Sequence, residues 1–346
     1  MRIAIDAMGN DNGPTPIVKG VKMFLEQDSS HAVVVMVGDR DRLTQVMIEE
    51  GIGLSSRLEL VHASQVMEME DKVSDLKAKR DSSIMRLVEE VKQQRVDAMI
   101  ALGNTAAAVG AATMGLKLIT GVRRPGIMIP MPTRTGQPCV IMDMGANTAC
   151  KPSHLGAYGV MSSIYSSKVL GVTKPRVGLL NVGEERSKGN EILREAFSIL
   201  ENAPINFIGN VEGGDIFNGS CDAVVCDGFT GNAILKAAES LASTMSFWIK
   251  EALFESWVTK IGAFLLQGAF QRMKSKIDYT AYGGAHLLGV NGVCLIGHGR
   301  STPTAVASAL RTASESVNMQ VNSLIKEHIE TMRHSVRLTA IKQEAE

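Results

Sequence analysis

Apolar residues along this chain fall into short unbroken runs, separated by longer stretches in which they recur every three or four positions. The runs are "RIAID" (2–6), "AVVVMVG" (32–38), "DAMIALG" (97–103), "GIMIP" (126–130), "CVIMDMG" (139–145), "RVGLLNVG" (176–183), "INFIG" (205–209), "CDAVVCDG" (221–228) and "GVCLIG" (292–297). Continuous apolarity without alternation is what a strand covered on both faces requires. The stretches between, such as 82–95 and 189–201, carry the helical period. The pattern predicts βαβ units and a mainly parallel sheet, with room for an antiparallel segment inside it.

Three regions depart from this rhythm. Residues 120–138 are the densest in Gly and Pro, as a seam between subdomains or as long loops. The last thirty or so residues read as a polar, surface-exposed helix with a fraying tail. The stretch 247–270 holds both tryptophans and four of the 9 phenylalanines, with Lys250 and Lys260 at its edge and "QRMKSK" after it. On a 3.6-residue period Phe247, Phe254, Val258, Ile261 and Leu265 share one face, with Trp248 beside it. This is an amphipathic helix or helical hairpin, interrupted near Gly262 or Gly268. A membrane surface, a dimer interface and a core position are all open for it, and the basic rim suits the first.

Composition narrows the class. The chain has 346 residues, enough to bury a large α/β core, and 45% are hydrophobic. Lys plus Arg equal Asp plus Glu at 36 each, so no basic field points to nucleic acid. The 5 cysteines form no C-x-x-C or zinc-finger spacing and are expected as buried free thiols. The chain enters a strand at once with no signal-peptide h-region, and a cytoplasmic location is expected.

The candidate chemistry lies where the apolar runs stop. Gly-Asn pairs stand at 9–10, 103–104, 189–190, 209–210 and 231–232, where chance predicts about one. Gly145-Ala-Asn147 is a near copy. Ligands of open α/β sheets sit beyond the carboxyl ends of strands, and such turns offer backbone N–H groups to an anion. They are also ordinary turn residues. Walker, dinucleotide and nucleophile-elbow motifs are missing. Lys188, just before Gly189-Asn190 and a helix, opposes the helix dipole unless it meets an anion, or it pairs with a nearby glutamate. Lys151 and Lys236 are further candidate cations. His154 is a candidate proton carrier or a structural histidine.

Taken together, "IDAMGNDNGP" (5–14), "GNTAA" (103–107), "RRPGI" (123–127), "DMGANTACKPSHLGAYGVM" (143–161), "VGLLNVGEERSKGNE" (177–191), "FIGNVEGGDIFNG" (207–219), "CDAVVCDGFTGNAILK" (221–236) and "AYGGAHLLGVNGVCLIGHG" (281–299) resemble the phosphate acyltransferase (PlsX) family of phospholipid synthesis. Two positions differ from the family pattern. Asn10 replaces a glycine, and Ala106 replaces another at a turn where a strained backbone was expected.

The resemblance implies one α/β catalytic domain over 1–346, a three-layer αβα fold similar to isocitrate dehydrogenase and phosphotransacetylase, with an amphipathic helical hairpin at 238–276. It implies a homodimer that transfers a long-chain acyl group from acyl carrier protein to inorganic phosphate, without cofactor or metal. The acyl phosphate then feeds a downstream membrane acyltransferase. The enzyme is implied to be soluble but peripherally attached to a membrane surface of anionic lipid. On this reading Lys188, Asn147 and Asn190 are catalytic, and Gly9, Asn104, Thr105, Lys151, His154, Gly231 and Asn232 bind substrate. Phe247, Trp248, Phe254, Trp257 and Lys260 make membrane or partner contact. Asp6, Asp11 and Asp227 orient turns and cations, since bare carboxylates repel phosphate. The alternatives are a phosphotransacetylase-like enzyme using free coenzyme A and a non-catalytic membrane-surface scaffold. A decarboxylating dehydrogenase would need a cluster of aspartates on one helix, which the sequence lacks.

Overall fold

A computed structural model describes residues 1–28, 30–277 and 284–344. The first half runs β1 (Arg2–Asp6), α1 (Thr15–Gln27), β2 (Val33–Gly38), α2 (Arg40–Glu49), β3 (Leu58–His62), a 3-10 turn (Val73–Lys77), α3 (Ser83–Lys92), β4 (Ala98–Leu102), α4 (Thr105–Leu116), β5 (Gly126–Met131) and β6 (Cys139–Met142). There follow α5 (Pro152–Lys168), β7 (Arg176–Leu180), α6 (Glu191–Glu201), β8 (Asn206–Val211), α7 (Asp215–Asn218), β9 (Ala223–Val225) and α8 (Gly228–Phe254). The chain continues with α9 (Trp257–Leu265), α10 (Gln267–Ile277), β10 (Ala285–Leu288), β11 (Val293–Gly297), α11 (Pro303–Asn318) and α12 (Val321–Glu344).

The strands form one 11-stranded sheet in the order β3-β2-β1-β4-β11-β10-β5-β6-β9-β7-β8. Helices cover both faces, which is why the strand sequences are apolar throughout. On one face Ala4, Val35, Met99, Ala101, Ile127, Ile129, Ile141 and Val224 pack under α3, α4 and the first turns of α8. On the other, Ile3, Ile5, Val34, Met36 and Leu295 pack against α1, α2 and α11. Beside them Met128, Val140, Val177, Leu179 and Val225 pack against α5, α6 and α12. The three-layer αβα expectation stands.

The sheet is parallel in two blocks that point in opposite directions. From β3 to β11 all pairs are parallel, as are those from β6 to β8. Between the blocks three successive pairs are antiparallel: β11 with β10, β10 with β5, and β5 with β6. Three reversals leave the carboxyl ends of β1, β4 and β11 at one edge of the sheet and those of β6, β7 and β9 at the other.

The Gly/Pro-dense region at 120–138 contains β5, a fully buried central strand, and the Thr133–Gly136 turn before β6. Strands β3 and β10 were absent from the sequence expectation. The carboxyl-terminal helix is not wholly surface-exposed: Val321, Ile325, Ile329 and Met332 form a buried stripe in the cluster around α5. All five cysteines are free and buried.

The amphipathic stretch is a succession of three helices. The breaks fall at Glu255–Ser256 and at Leu266, so Gly262 lies within α9 and Gly268 within α10. Ser256 caps α9 by accepting from Thr259 N. The break also means that Phe254 and Val258 do not share one continuous helix. No residue of α9 is buried, and Phe247, Trp248, Phe254, Trp257, Phe264 and Leu265 are each more than half exposed. This removes the core reading of the stretch within a single chain. Among the described residues no helix is long and apolar enough to cross a membrane.

Candidate active site

A cleft of about 910 Å³ runs across the face of the central strands. One wall is a face of α4 (Thr105, Ala106, Val109, Gly110, Thr113 and Met114), and the other a face of α8 (Phe229, Asn232, Leu235, Lys236 and Glu239). Ile127, Ile129, Ala285 and Ile296 make an apolar floor. Because β4 and β9 point in opposite directions, α4 and α8 enter the cleft from opposite ends. The α4 end also receives His298, Arg300, Ser301 and Thr302; the α8 end receives Arg124, Gly145, Asn147 and Thr148. Each end thus has a helix N-terminus and an arginine, a pairing suited to anions.

The strand-end turns are built mainly around internal aspartates. Asp143 is fully buried and accepts five hydrogen bonds, from the backbone N–H of Ile127, Gly145, Ala146 and Asn147 and from Asn147 Nδ2, at 2.8–3.1 Å. Burial raises its pKa while these donors pull it down. The amides of the Gly145–Asn147 turn therefore face an internal carboxylate and not the cleft. Asp6 takes the amides of Met8 (2.9 Å) and Gly9 (3.2 Å), and burial pushes its pKa up to about 6. Asp227 caps α8 through Phe229 N and Thr230 N, both at 3.0 Å.

The Gly-Asn pairs serve close approach and capping. A Cβ on Gly9 would collide with the Leu102 carbonyl, one on Gly103 with that of Gly9, and one on Gly231 with that of Asp143. Asn104 caps α4 through Ala107 N (2.9 Å), and its Nδ2 donates to the carbonyls of Glu68 and Asp71, each at 2.9 Å. Asn147 Nδ2 donates to Pro125 O (2.6 Å), Asp143 and Tyr158 OH. Asn190 caps α6 through Leu193 N (3.0 Å). Asn210 Nδ2 donates to Glu185 O (2.9 Å). Asn232, by contrast, is exposed in the cleft wall.

The predicted site residues divide between the two sheet edges. Gly9, Asn104 and Thr105 follow β1 and β4; Asn147, Lys151, His154, Lys188, Asn190, Gly231 and Asn232 follow β6, β7 and β9. Of these, Thr105, Asn147 and Asn232 line the cleft. Lys188 and Asn190 lie outside its wall on the β7–α6 loop, where Lys188 Nζ is 3.9 Å from Glu185. Arg124, His298 and Arg300 line the cleft and were not among the predicted residues. "RRPGI" and "GHGRST" contain them, but a cation flanking an apolar strand carries no local signal of which cavity it enters. In the cleft Lys236 pairs with Glu239 (2.8 Å), and Arg300 lies 3.5 Å from Asp11.

Both departures from the family pattern are accommodated. Ala106 sits in the first turn of α4 with right-handed backbone, where alanine is favourable and no strain arises. Asn10 is buried; its Nδ2 donates to Ser301 O (2.9 Å) and its Oδ1 accepts from Asn12 N (2.9 Å), tying the β1 turn to the β11–α11 loop.

Comparison with known proteins agrees with this architecture. A family described as fatty acid synthesis protein matches residues 1–324. A relative from Pelotomaculum thermopropionicum, named phosphate acyltransferase, is 44% identical over 333 residues, 96% of each chain. The chain belongs to this family. A member from Heliobacterium modesticaldum with the same name is 43% identical, covering 95% of this chain and 98% of its own. Among solved structures, a phosphotransacetylase from Streptococcus pyogenes aligns with a TM-score of 0.63 at 17% identity, over 92% of this chain and 94% of that one. A phosphotransacetylase from Staphylococcus aureus aligns at 0.61 and 13% identity, over 91% and 94%. These two likenesses establish the fold that family members share with such proteins.

Proposed function

We propose that this chain transfers a long-chain acyl group from acyl carrier protein to inorganic phosphate, giving acyl phosphate and free carrier thiol. The observation that carries this reading is 44% identity over 96% of the chain to a protein named phosphate acyltransferase, joined to a cleft with an apolar floor between two cationic ends. A phosphate oxygen attacks the thioester carbonyl, the C–S bond breaks, and the thiolate takes a proton from solvent or a cleft donor. Thiolate is a competent leaving group, so no enzyme nucleophile is needed. The task of the protein is to align a dianion with the carbonyl and to meet the developing oxyanion with N–H donors.

Thr105 and the first amides of α4 are proposed to supply such donors at one end of the cleft, and the Asn232 side chain, beside the turn at Asn147, at the opposite end. Gly9 lets the backbones close at the α4 end and Gly231 at the α8 end, and Asn104 holds the α4 start in place. Lys188 and Asn190 stand at the edge shared by β7 and β9. Changing Lys188 to Ala tests their part: a fall in turnover of at least tenfold keeps Lys188 in the mechanism, and near-normal turnover removes it.

The exposed apolar side chains of α8 and α9 support peripheral contact with a membrane surface, the place where an acyl phosphate would be consumed by a membrane acyltransferase. A homodimer interface is the second use of that surface.

The deciding experiment mixes purified protein with long-chain acyl carrier protein, with and without phosphate, and follows thiol release and hydroxylamine-trappable acyl phosphate. Phosphate-dependent appearance of both is expected. Activity only with acyl-coenzyme A would indicate the phosphotransacetylase-like alternative, and neither product from folded protein would overturn the reading.

A further inference from the structure

At the α8 end of the cleft, positive charge is concentrated without a matching carboxylate. Arg123 and Arg124 precede Pro125, whose carbonyl accepts from Asn147 Nδ2 at 2.6 Å and from Tyr158 OH at 3.4 Å. These bonds fasten the arginine pair to the turn that leads into α5. Lys151 occupies the N-cap of that helix, and His154 sits in its first turn. A cation at a helix N-terminus faces the positive end of the dipole, and neighbouring cations repel it further. Among the described residues none of Arg123, Arg124 and Lys151 forms an ion pair. The nearby carboxylates are committed elsewhere: Asp143 to its five internal donors, and Asp227 to the start of α8.

The histidine is the second observation. His154 is 7% exposed, and its Nδ1 accepts from Lys151 N at 3.2 Å. That bond assigns the proton of the neutral ring to Nε2, which has no hydrogen-bond partner among the described residues. Burial, then Arg124, Lys151 and Arg123, hold its pKa below the ordinary histidine value. Three cations and an N–H donor without a protein partner among the described residues, open to the cleft through Arg124, describe a receptor for a compact anion.

We propose that Arg123, Arg124, Lys151 and His154 form a binding site for a phosphoryl oxyanion at the α8 end of the cleft, beside the start of α5. Two sources carry that chemistry. One is free inorganic phosphate. The other is the phosphodiester at the root of a carrier protein's thiol-bearing arm, and this second source rests on the transfer reaction proposed above.

The test uses the whole chain with inorganic phosphate at constant ionic strength, chloride being the balancing anion. Phosphate is expected to raise the melting temperature of the wild type, because it binds the folded form alone. It is also expected to move the His154 ring titration, followed by NMR, to higher pH. In Arg124→Gln and Lys151→Gln the phosphate-free protein should melt no lower than the wild type, and both phosphate responses should disappear. In turnover the same variants should raise KM for phosphate by about tenfold, with kcat little changed. A tenfold rise in KM for acyl carrier protein instead, with the constant for phosphate untouched, would identify the carrier's phosphodiester as the anion held. Wild-type phosphate responses together with wild-type KM for both substrates would overturn the site. So would loss of the phosphate response in Arg300→Gln alone, at the far end of the cleft. The binding measurements need no turnover: a protein that binds phosphate here but makes no acyl phosphate would keep the site and reject the transfer reaction.

Discussion

At the scale of single residues, the strand-end asparagines show how an exposed-looking motif becomes structural. Asn104 satisfies an orphan amide of α4 and two loop carbonyls with one side chain. Replacing it with Ala should cost about 2 kcal/mol or more, read as a lower urea midpoint with unchanged slope. Ala106 makes the opposite case. A family glycine suggested a strained turn, but the residue is helical. Ala106→Gly should therefore destabilise the protein by up to about 1 kcal/mol in the same titration; a stabilised variant would mean that the backbone there is not helical. Which amides face a ligand is decided by where the aspartates lie, and Asp143 turns an apparent anion nest inward. The residue types were readable from the sequence, but the direction of each donor was not.

Most elements follow from the apolar runs because burial on both faces leaves a strong local signature. Strand β3 escapes it, since "LELVH" is an edge strand with three half-buried positions and one exposed. Strand β10 escapes it because four residues, sandwiched antiparallel between β5 and β11, are too short to carry a period. The helical period placed an apolar face along 247–265 but could not foresee the Ser256 cap that splits it. The exposed side chains of α8 and α9 give a prediction at this scale. Trp248→Ser with Trp257→Ser should weaken flotation with anionic liposomes while the melting temperature stays within a few degrees, because neither ring packs into the core. Unchanged flotation together with a shift from dimer to monomer would assign the surface to a second copy.

For the molecule as a whole, two buried groups set opposing responses to acid. His286 is fully buried between β5 and β11, with Nε2 2.9 Å from Ser316 Oγ, and burial lowers its pKa from 6.5 to about 3. It stays neutral in the fold while the unfolded chain takes a proton, so its contribution, intact above pH 6.5, is lost as pH falls toward 3. Asp6, raised from 3.8 to about 6, acts the other way: its contribution is full below pH 3.8 and is lost as pH rises through 6. Melting temperatures measured from pH 7 to pH 4 should fall on acidification, more steeply in Asp6→Asn and less steeply in His286→Gln. A variant profile parallel to the wild type would show that the group concerned does not titrate on unfolding. The sequence by itself determined the class of fold, most strands, the family, and the absence of a nucleotide or covalent-nucleophile motif, because burial periodicity and motif spacing are local properties of a chain. Only the tertiary structure decided that the sheet reverses through β10, β5 and β6, which separates the strand ends into two groups and opens one cleft between them. Pairing partners and strand direction are long-range choices, made by which apolar faces meet, and residues as distant as Asn10 and Ser301 become neighbours only once those choices are made.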